Sequence, residues 1–391
     1  MTMTTLSVPA ALMRGGTSKC WIFDKETVDS VPIGLDLLLE NAFGAGDHRQ
    51  IDGVGGATST TSKAAVVWAS AEDDVDVEYL FGQVGVGDRI VEWGSNCGNC
   101  ATAVGLYAVQ NGLVSVEGDW TSVRMRNANT GVAVEATVAT PGGIAVNEGI
   151  TSVPGVRFGG VAVDLTFLEP FHGGGVLLPT GHPSDVVTVA EVTGTATVID
   201  AGAKALLIDA QSVGLTGAED DASVTGNVEF LRSFRMAGAA LHGIIRPDGS
   251  VPNAVPKTGL VGPPRDYLTL GGEGVKASDY DVSARMLSMN TPHPAIGLTS
   301  AVAFAVAAAT AGTVLEPYRR TGVDGLRVGT LAGVVNVTWS QGAQGQVERV
   351  TMRRAARRLA TAVLAVRTDP DPRDYSTRAS QVELGAKEMV A

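Results

Sequence analysis

Cysteine is scarce in this chain: 391 residues contain Cys20, Cys97 and Cys100 and no other. An odd, small number in so long a sequence excludes a disulfide framework and points to a reducing, cytoplasmic setting. Positive charge is also short. Twenty-nine Lys and Arg face 41 Asp and Glu, a net charge of −12, which makes nucleic acid and anionic membranes poor partners. A small anionic ligand is not excluded, because a few local donors and helix N-termini hold such a molecule whatever the net charge. The start, "MTMTTLSVPAALMRGG", has no basic segment followed by a long apolar one, so a signal peptide is not expected. The one run that could suggest a membrane span, "AIGLTSAVAFAVAAATAGTVL", is interrupted by Gly, Thr and Ser and predicts a buried core helix. Metal-binding spacing is missing too: His48, His172, His182 and His242 form no H-x-x-x-H or H-E-x-x-H, so no metal is expected. The phosphate-loop pattern G-x-x-x-x-G-K-[ST] is absent as well, which argues against a nucleotide.

What is present is a well-packed globular composition, 45% apolar and 18% charged, with 49 glycines for tight turns and close backbone approach. The length predicts two domains. Short β-branched runs such as "KAAVVWAS", "VDVEYLFGQVGV", "TATVIDA" and "GVVNVTWS" read as many strands. Helical patterns are fewer, at 34–43, 100–112, 226–240, 299–311 and 351–363. Many strands with few helices predict an α+β fold with large sheets. After Thr368 the polar tail reads as a surface extension.

The chain also echoes itself. Displaced by 200 positions, "CGNCATAVGLYAVQNGLV" (97–114) lies over "GLTSAVAFAVAAATAGTV" (297–314), matching Ala101 to Ala301, Ala103 to Ala303 and Gly112 to Gly312. Two similar halves, each with a buried small-residue helix, account for this; two ordinary core helices are the plainer alternative. If the halves are similar, the loops Ser95–Asn99 and Ala295–Thr299 face one another. Two helix N-termini with unpaired N–H groups then meet in one cleft, an arrangement suited to carboxylates.

Three segments carry candidate chemistry. "LMRGGTSKC" (12–20) is a Gly-Gly turn followed by Thr-Ser-Lys. "IDGVGGATSTTSKAAVV" (51–67) delivers Lys63 to the edge of an apolar strand. Desolvation there lowers a lysine pKa toward the range of a general base, unless the side chain reaches back to water. "GSNCGNC" (94–100) sets Cys97 before a helix whose N-terminus favours thiolate, in a C-x-x-C spacing that also fits a thiol–disulfide oxidoreductase.

Together, "MRGGTSK", "IDGVGGATSTTSK" and "NCGN" resemble the PrpF family of methylaconitate and oxalomesaconate isomerases. "RNANTG" (126–131), "LLPTG" (177–181), "GLTG" (214–217), "NAVPK" (253–257) and "PHPAIG" (292–297) match in order, so the resemblance covers roughly residues 8 to 315. It implies a diaminopimelate-epimerase-like fold of two similar domains, each a β-barrel-like sheet around a central helix, here 1–183 and 184–391, with the C-terminal tail free to return to the first. It also implies cofactor-independent proton transfer on an unsaturated di- or tricarboxylate in the interdomain cleft. Epimerases of that architecture need a thiol from each domain. Here Cys97 lies over Gly297 and no cysteine follows Cys100, so a symmetric two-thiol racemase is excluded.

One base and one thiol remain, which suits a 1,3-allylic shift. The resemblance makes Lys63 the base and Cys97 an acid/base or positioning group. Ser18, Lys19, Ser62, Asn96, Gly98, Asn99, His293, Gly297, Thr299 and Ser300 are the expected substrate-binding residues, with Thr299 and Ser300 also expected to cap the second helix. Two departures stand out. Where the family often has His-Pro-Ser-Gly this chain has "LRVGTLAG" (326–333), and Cys100 replaces the usual apolar residue after N-C-G-N. A non-catalytic polycarboxylate-binding protein is the third reading, and a homodimer is left open.

Overall fold

The computed structural model describes residues 5–94, 96–171 and 176–368. Ser95, His172 and the tail after Thr368, about which the sequence made expectations, lie outside the described residues.

The first half runs β1 (Thr5–Gly15), β2 (Ser18–Asp24), α1 (Lys25–Asp29), α2 (Leu35–Phe43), β3 (Lys63–Ala69), β4 (Val77–Val84), α3 (Gly98–Gln110), β5 (Trp120–Asn127), β6 (Ala133–Ala139) and β7 (Val161–Leu168). The second half runs β8 (Asp185–Val189), β9 (Val192–Ala201), β10 (Ala203–Asp209), α4 (Asp221–Gly226), α5 (Val228–Leu241), β11 (Lys257–Gly262), β12 (Val282–Ser288), α6 (Leu298–Ala309), β13 (Gly325–Thr330), β14 (Gly333–Gln341) and β15 (Val347–Arg367).

Pairing follows one pattern twice. From β1 to β6 each strand joins the next as antiparallel, parallel, antiparallel, parallel, antiparallel. From β9 to β14 the same five steps recur in the same order. Each parallel step needs a crossover, which α1 with α2, α3, α4 with α5, and α6 supply in turn. In the first half β7 pairs with β15 and β15 with β1, closing a barrel with no free edge. The expected epimerase-like arrangement of two similar sheets, each around a central helix, is the one observed.

One expected element is wrong. The stretch 351–363, read as a helix for its Ala, Leu and Arg content, is the middle of β15. Local helix propensity is worth only tenths of a kcal/mol per residue. It is overridden because β15 is paired along its length: to β14 and β7 near its start and to β1 from Ala356 to Arg367. Arg353 then pairs with Asp164 on the adjacent β7, and Arg349 reaches Glu135 on β6, one strand further. We propose a boundary between the halves at 183/184, just ahead of β8, with β15 shared by both.

Both central helices are enclosed. Nearly every residue of α3 and α6 is buried, and the two share one continuous apolar cluster. A helix inside a barrel touches strands on all sides, so small residues are required: a Cβ on Gly105 would stand 2.5 Å from the Ala136 Cβ. The "AIGLTSAVAFAVAAATAGTVL" run is therefore a core helix, and among the described residues no helix is long and apolar enough to cross a membrane.

Candidate functional site

The N-termini of α3 and α6 meet. A Cβ on Gly98 would lie 2.5 Å from the Leu298 Cβ. Around this junction lies a small cavity, partly open to solvent, lined from both halves. Of the residues expected from sequence, Ser18, Lys63, Asn96, Cys97, Gly98, Asn99, His293, Gly297, Thr299 and Ser300 line it. A hydrogen bond of 3.0 Å between the Ser59 and Ser288 hydroxyls ties the two halves beside it.

Lys19 and Ser62 are not in the lining. Adjacent residues of a strand project to opposite faces, so Ser18 and Lys19 of β2 cannot both point into one cavity. Ser62 is fully buried, with its hydroxyl donating to Gln50 Oε1 at 2.6 Å and accepting from the Gly56 N–H. It braces the glycine-rich loop that leads into Lys63. The "RNANTG" stretch is likewise structural: Asn129 bonds both backbone groups of Phe81 and the Trp93 carbonyl.

Lys63 opens β3, almost wholly buried, with Nζ donating to Gln83 Oε1 at 2.5 Å and 5.2 Å from the centre of the Phe81 ring. Lys257, the first residue of β11, lines the same cavity from the other half. Burial, and then the charge of Lys63, push its pKa down to about 8. Among the described residues no Asp or Glu lines the cavity and neither lysine makes a contact ion pair, although the charge of Glu92 acts on Lys257 through space. A chain with net charge −12 thus concentrates positive charge at this junction.

The helix N-termini add to it. Gly297 is the N-cap of α6 and has no side chain with which to cap. The N–H groups of Leu298, Thr299 and Ser300 precede the first intrahelical bond, Ala301 N–H to the Gly297 carbonyl, and have no partner among the described residues. The capping expected of Thr299 and Ser300 is not made, because they stand inside the helix at its second and third positions.

At α3 the N-cap is Cys97, whose sulfur accepts from the Cys100 N–H at 3.4 Å. Asn99 is held by donation to the Thr17 and Ser18 hydroxyls, while its Oδ1 accepts from the buried Arg354 at 3.3 Å. The Asn96 Oδ1 accepts from the Tyr79 hydroxyl at 3.0 Å, whereas its Nδ2, buried in the cavity wall, has no partner among the described residues.

His293 is buried, and burial together with the charges of Lys63, Lys257 and Arg354 pushes its pKa down to about 3. Its Nδ1 accepts from the Ala295 N–H at 3.0 Å. The neutral ring therefore carries its proton on Nε2 and serves as an uncharged donor.

The thiols depart from expectation. The helix N-terminus was expected to favour thiolate at Cys97, yet contact with Cys100 and burial push that pKa well above the ordinary thiol value. Cys100 is fully buried in the core, and burial raises its pKa as well. All three cysteines are free. Two protonated thiols, one sealed in the core, do not support a thiol–disulfide oxidoreductase.

Reasoning from sequence gave no role to Lys257, Gln83, Thr60, Ser288 or Met289, which all line the cavity. Lys257 had a visible signal, since "KTGLVG" repeats the "KAAVVW" pattern of a lysine opening an apolar strand. Gln83 and Met289 had none, because their place depends on how strands and loops meet. The substituted turn "LRVGTLAG" is outside the lining.

Comparison with known proteins identifies the family and the fold. A 2-methyl-aconitate isomerase of Shewanella oneidensis is 35% identical over 384 residues, covering 90% of this chain and 95% of that protein. A (4E)-oxalomesaconate Delta-isomerase of a Novosphingobium strain is 34% identical, covering 92% of this chain and 98% of that one. The crystal structure of a methylitaconate-delta-isomerase superposes with a TM-score of 0.76 at 29% identity, covering 93% of this chain and 96% of the other. The sequence signature of the PrpF protein family matches residues 5–367, and the chain belongs to that family.

Proposed function

We propose that this protein is an isomerase of unsaturated carboxylates, catalysing a 1,3-allylic proton shift on a di- or tricarboxylate such as 4-oxalomesaconate, methylaconitate or methylitaconate. The observation that carries this reading is the cavity itself: two lysine amino groups and two converging helix N-termini, with no Asp or Glu among the described residues of its wall. The names of similar proteins, all isomerases of such acids, support it.

In this scheme the substrate carboxylates sit against the free N–H groups of α6 and the Ser18, Thr299 and Ser300 hydroxyls. Lys63 takes a proton from the allylic carbon. The electron pair of that C–H bond spreads through the conjugated carboxylate as a dienolate, and a proton added two carbons away completes the migration of the double bond. The developing negative charge is met by the ammonium groups, the helix dipoles and the neutral His293 Nε2–H, all fixed before the reaction begins. Cys97, kept as a thiol, donates a hydrogen bond. Only a proton moves, so the scheme calls on no cofactor.

The test is an NMR assay for solvent deuterium entering each acid of a panel of unsaturated di- and tricarboxylates. Wild-type protein is expected to exchange and isomerise at least one. Lys63→Met is expected to abolish exchange at the allylic carbon, and retained exchange there would overturn the assignment of Lys63 as base. Tight binding by the wild type with no exchange would instead favour a polycarboxylate-binding protein.

A further inference from the structure

We infer that Arg354 is a positioning residue of the isomerase: through Asn99 it fixes the direction of a hydrogen-bond chain that ends at the Ser18 hydroxyl in the cavity. The assignment rests on the isomerase reading and deepens it, by giving one carboxylate-binding hydroxyl its orientation.

Arg354 is an unusual residue for its place. Along β15, Arg353 stands opposite Asp164 of β7 and Arg354 opposite Val163. Neighbours on a strand project to opposite faces, so Arg353 stays outside and pairs with Asp164, while Arg354 turns inward between Met352 and Ala356 of the core. It is 2% exposed. Burial, and then the charge of Arg14, push its pKa down to about 10, which leaves it charged at neutral pH. Among the described residues no carboxylate pairs with it, and its Nε has no partner. A buried guanidinium without a counter-charge costs stability. One side chain receives it: Nη2 donates to Asn99 Oδ1 at 3.3 Å.

That contact decides a direction. Arginine carries donors and no acceptor, so the Asn99 oxygen must face it and the Asn99 amide nitrogen must face away. On that other side Nδ2 donates to Thr17 Oγ1 at 3.1 Å and to Ser18 Oγ at 3.4 Å. The Ser18 hydroxyl is thereby an acceptor toward Asn99. Its own proton has no acceptor among the described residues and is free for a ligand in the cavity that Ser18 lines. Every link in the chain donates toward the cavity, the polarity that a bound carboxylate requires. With the amide turned over, its oxygen would face Ser18 and take up the hydroxyl proton.

The "MRGG" turn makes room for this chain. Gly16 lies in the left-handed region at φ 51°, and a Cβ there would collide with Asn99 Oδ1 and stand 2.8 Å from Arg354 Nη2. A Cβ on Gly15 would collide with the Asn99 carbonyl. The charge of Arg354 also reaches the site, where it is one of the groups that keep His293 neutral.

The experiment measures two quantities: calorimetric binding of propane-1,2,3-tricarboxylate, and kcat/KM on the acid that the deuterium screen identifies. The proteins are wild type, Arg354→Met, Arg354→Lys, Asn99→Ala and Arg354→Met combined with Asn99→Ala. Arg354→Met should lose about 10- to 100-fold in both quantities, the weight of a hydrogen bond to a charged group. The ammonium of Arg354→Lys also has no acceptor, so that variant should recover most of the loss. Added to Asn99→Ala, Arg354→Met should cost less than about 3-fold more, because the chain is already broken. The double variant should also melt at or above the midpoint of Asn99→Ala alone, since no guanidinium is left stranded. A purely structural arginine would instead lower the midpoint and repeat its full loss of activity in the Asn99→Ala background. Unchanged binding and kcat/KM in Arg354→Met, or a full further loss in the double variant, would overturn the assignment. The same pattern in binding, in a wild type that turns over none of the acids, would leave the chain from Arg354 to Ser18 standing and overturn the isomerase reading alone.

Discussion

Replacing Gly98 with Ala tests whether the two helix N-termini meet as described. At an unconstrained helix start Ala is better than Gly by up to about 1 kcal/mol. Here the new methyl would stand 2.5 Å from the Leu298 Cβ and 3.0 Å from its Cδ1. Carbon atoms rest at about 3.5–4.0 Å, so about 1 Å must be opened. A rotamer change of Leu298 cannot provide it, since Cβ is fixed to the backbone of α6, and the helix itself must shift. Overpacking of this kind costs about 1–3 kcal/mol, which exceeds the propensity gain.

The catalytic effect should be larger than the loss of stability. Moving α6 away from α3 separates the free N–H groups of Leu298, Thr299 and Ser300 from Lys63 and Cys97 on the other side. A misplacement of about 1 Å can cost on the order of 100-fold in rate. The measurements are kcat/KM on the substrate that the deuterium screen identifies and the thermal midpoint. For the thermal midpoint Gly297→Ala is the control, because its methyl would meet the Ser300 hydroxyl at an ordinary 3.4 Å. A Gly98→Ala protein with a raised midpoint and unchanged kcat/KM would refute the contact and the convergence of the helices built on it.

Two further outcomes follow from the site's electrostatics. Cys97, with its pKa raised by Cys100 and by burial, should react with iodoacetamide at pH 8 far more slowly than an ordinary exposed thiol; rapid alkylation assigned to Cys97 by mass spectrometry would contradict a protonated thiol. A saturated tricarboxylate should bind more tightly as pH falls through about 8, where Lys257 gains its charge. An anion favours the protonated lysine, so binding takes up a proton and the gain is lost again as pH rises. Calorimetry in buffers of different ionisation enthalpy should show that uptake, Lys257→Met should flatten the dependence, and His293 should add no inflection above its value of about 3.

Much of the fold could be read from the residues. Alternating and β-branched runs marked the strands, and small-residue runs marked α3 and α6 to within two residues. The echo between 97–114 and 297–314 anticipated two helices at equivalent places. Its register was informative as well: Cys97 and Gly297 are the N-caps of the two helices. The stretch 351–363 was misread because helix propensity is local, whereas its partners on β1 and β7 lie far away in sequence.

The candidate site divides along the same line. The resemblance carried by the three motifs grouped Lys63, Cys97, Asn99, His293 and Thr299 in one site, and in the structure each stands at the start of a strand or helix or in the loop before one. Lys19 and Ser62 share those loops but face elsewhere, because neighbouring strand residues alternate sides and a hydroxyl beside Gln50 finds its partner there. The protonation of Cys97 was beyond the sequence, as it depends on which groups enclose the sulfur. A helix N-terminus alone favours thiolate, but burial and the adjacent Cys100 reverse the sign.

The sequence by itself thus determined the element types, the repeat and the cast of polar residues, all properties of local pattern. Tertiary structure alone decided that β15 completes the first barrel, that Gly98 and Leu298 touch, and that a second lysine, 194 positions beyond the first, enters the same cavity. Those outcomes depend on contacts between distant segments, and a contact across the chain leaves no signature in the spacing of its neighbours.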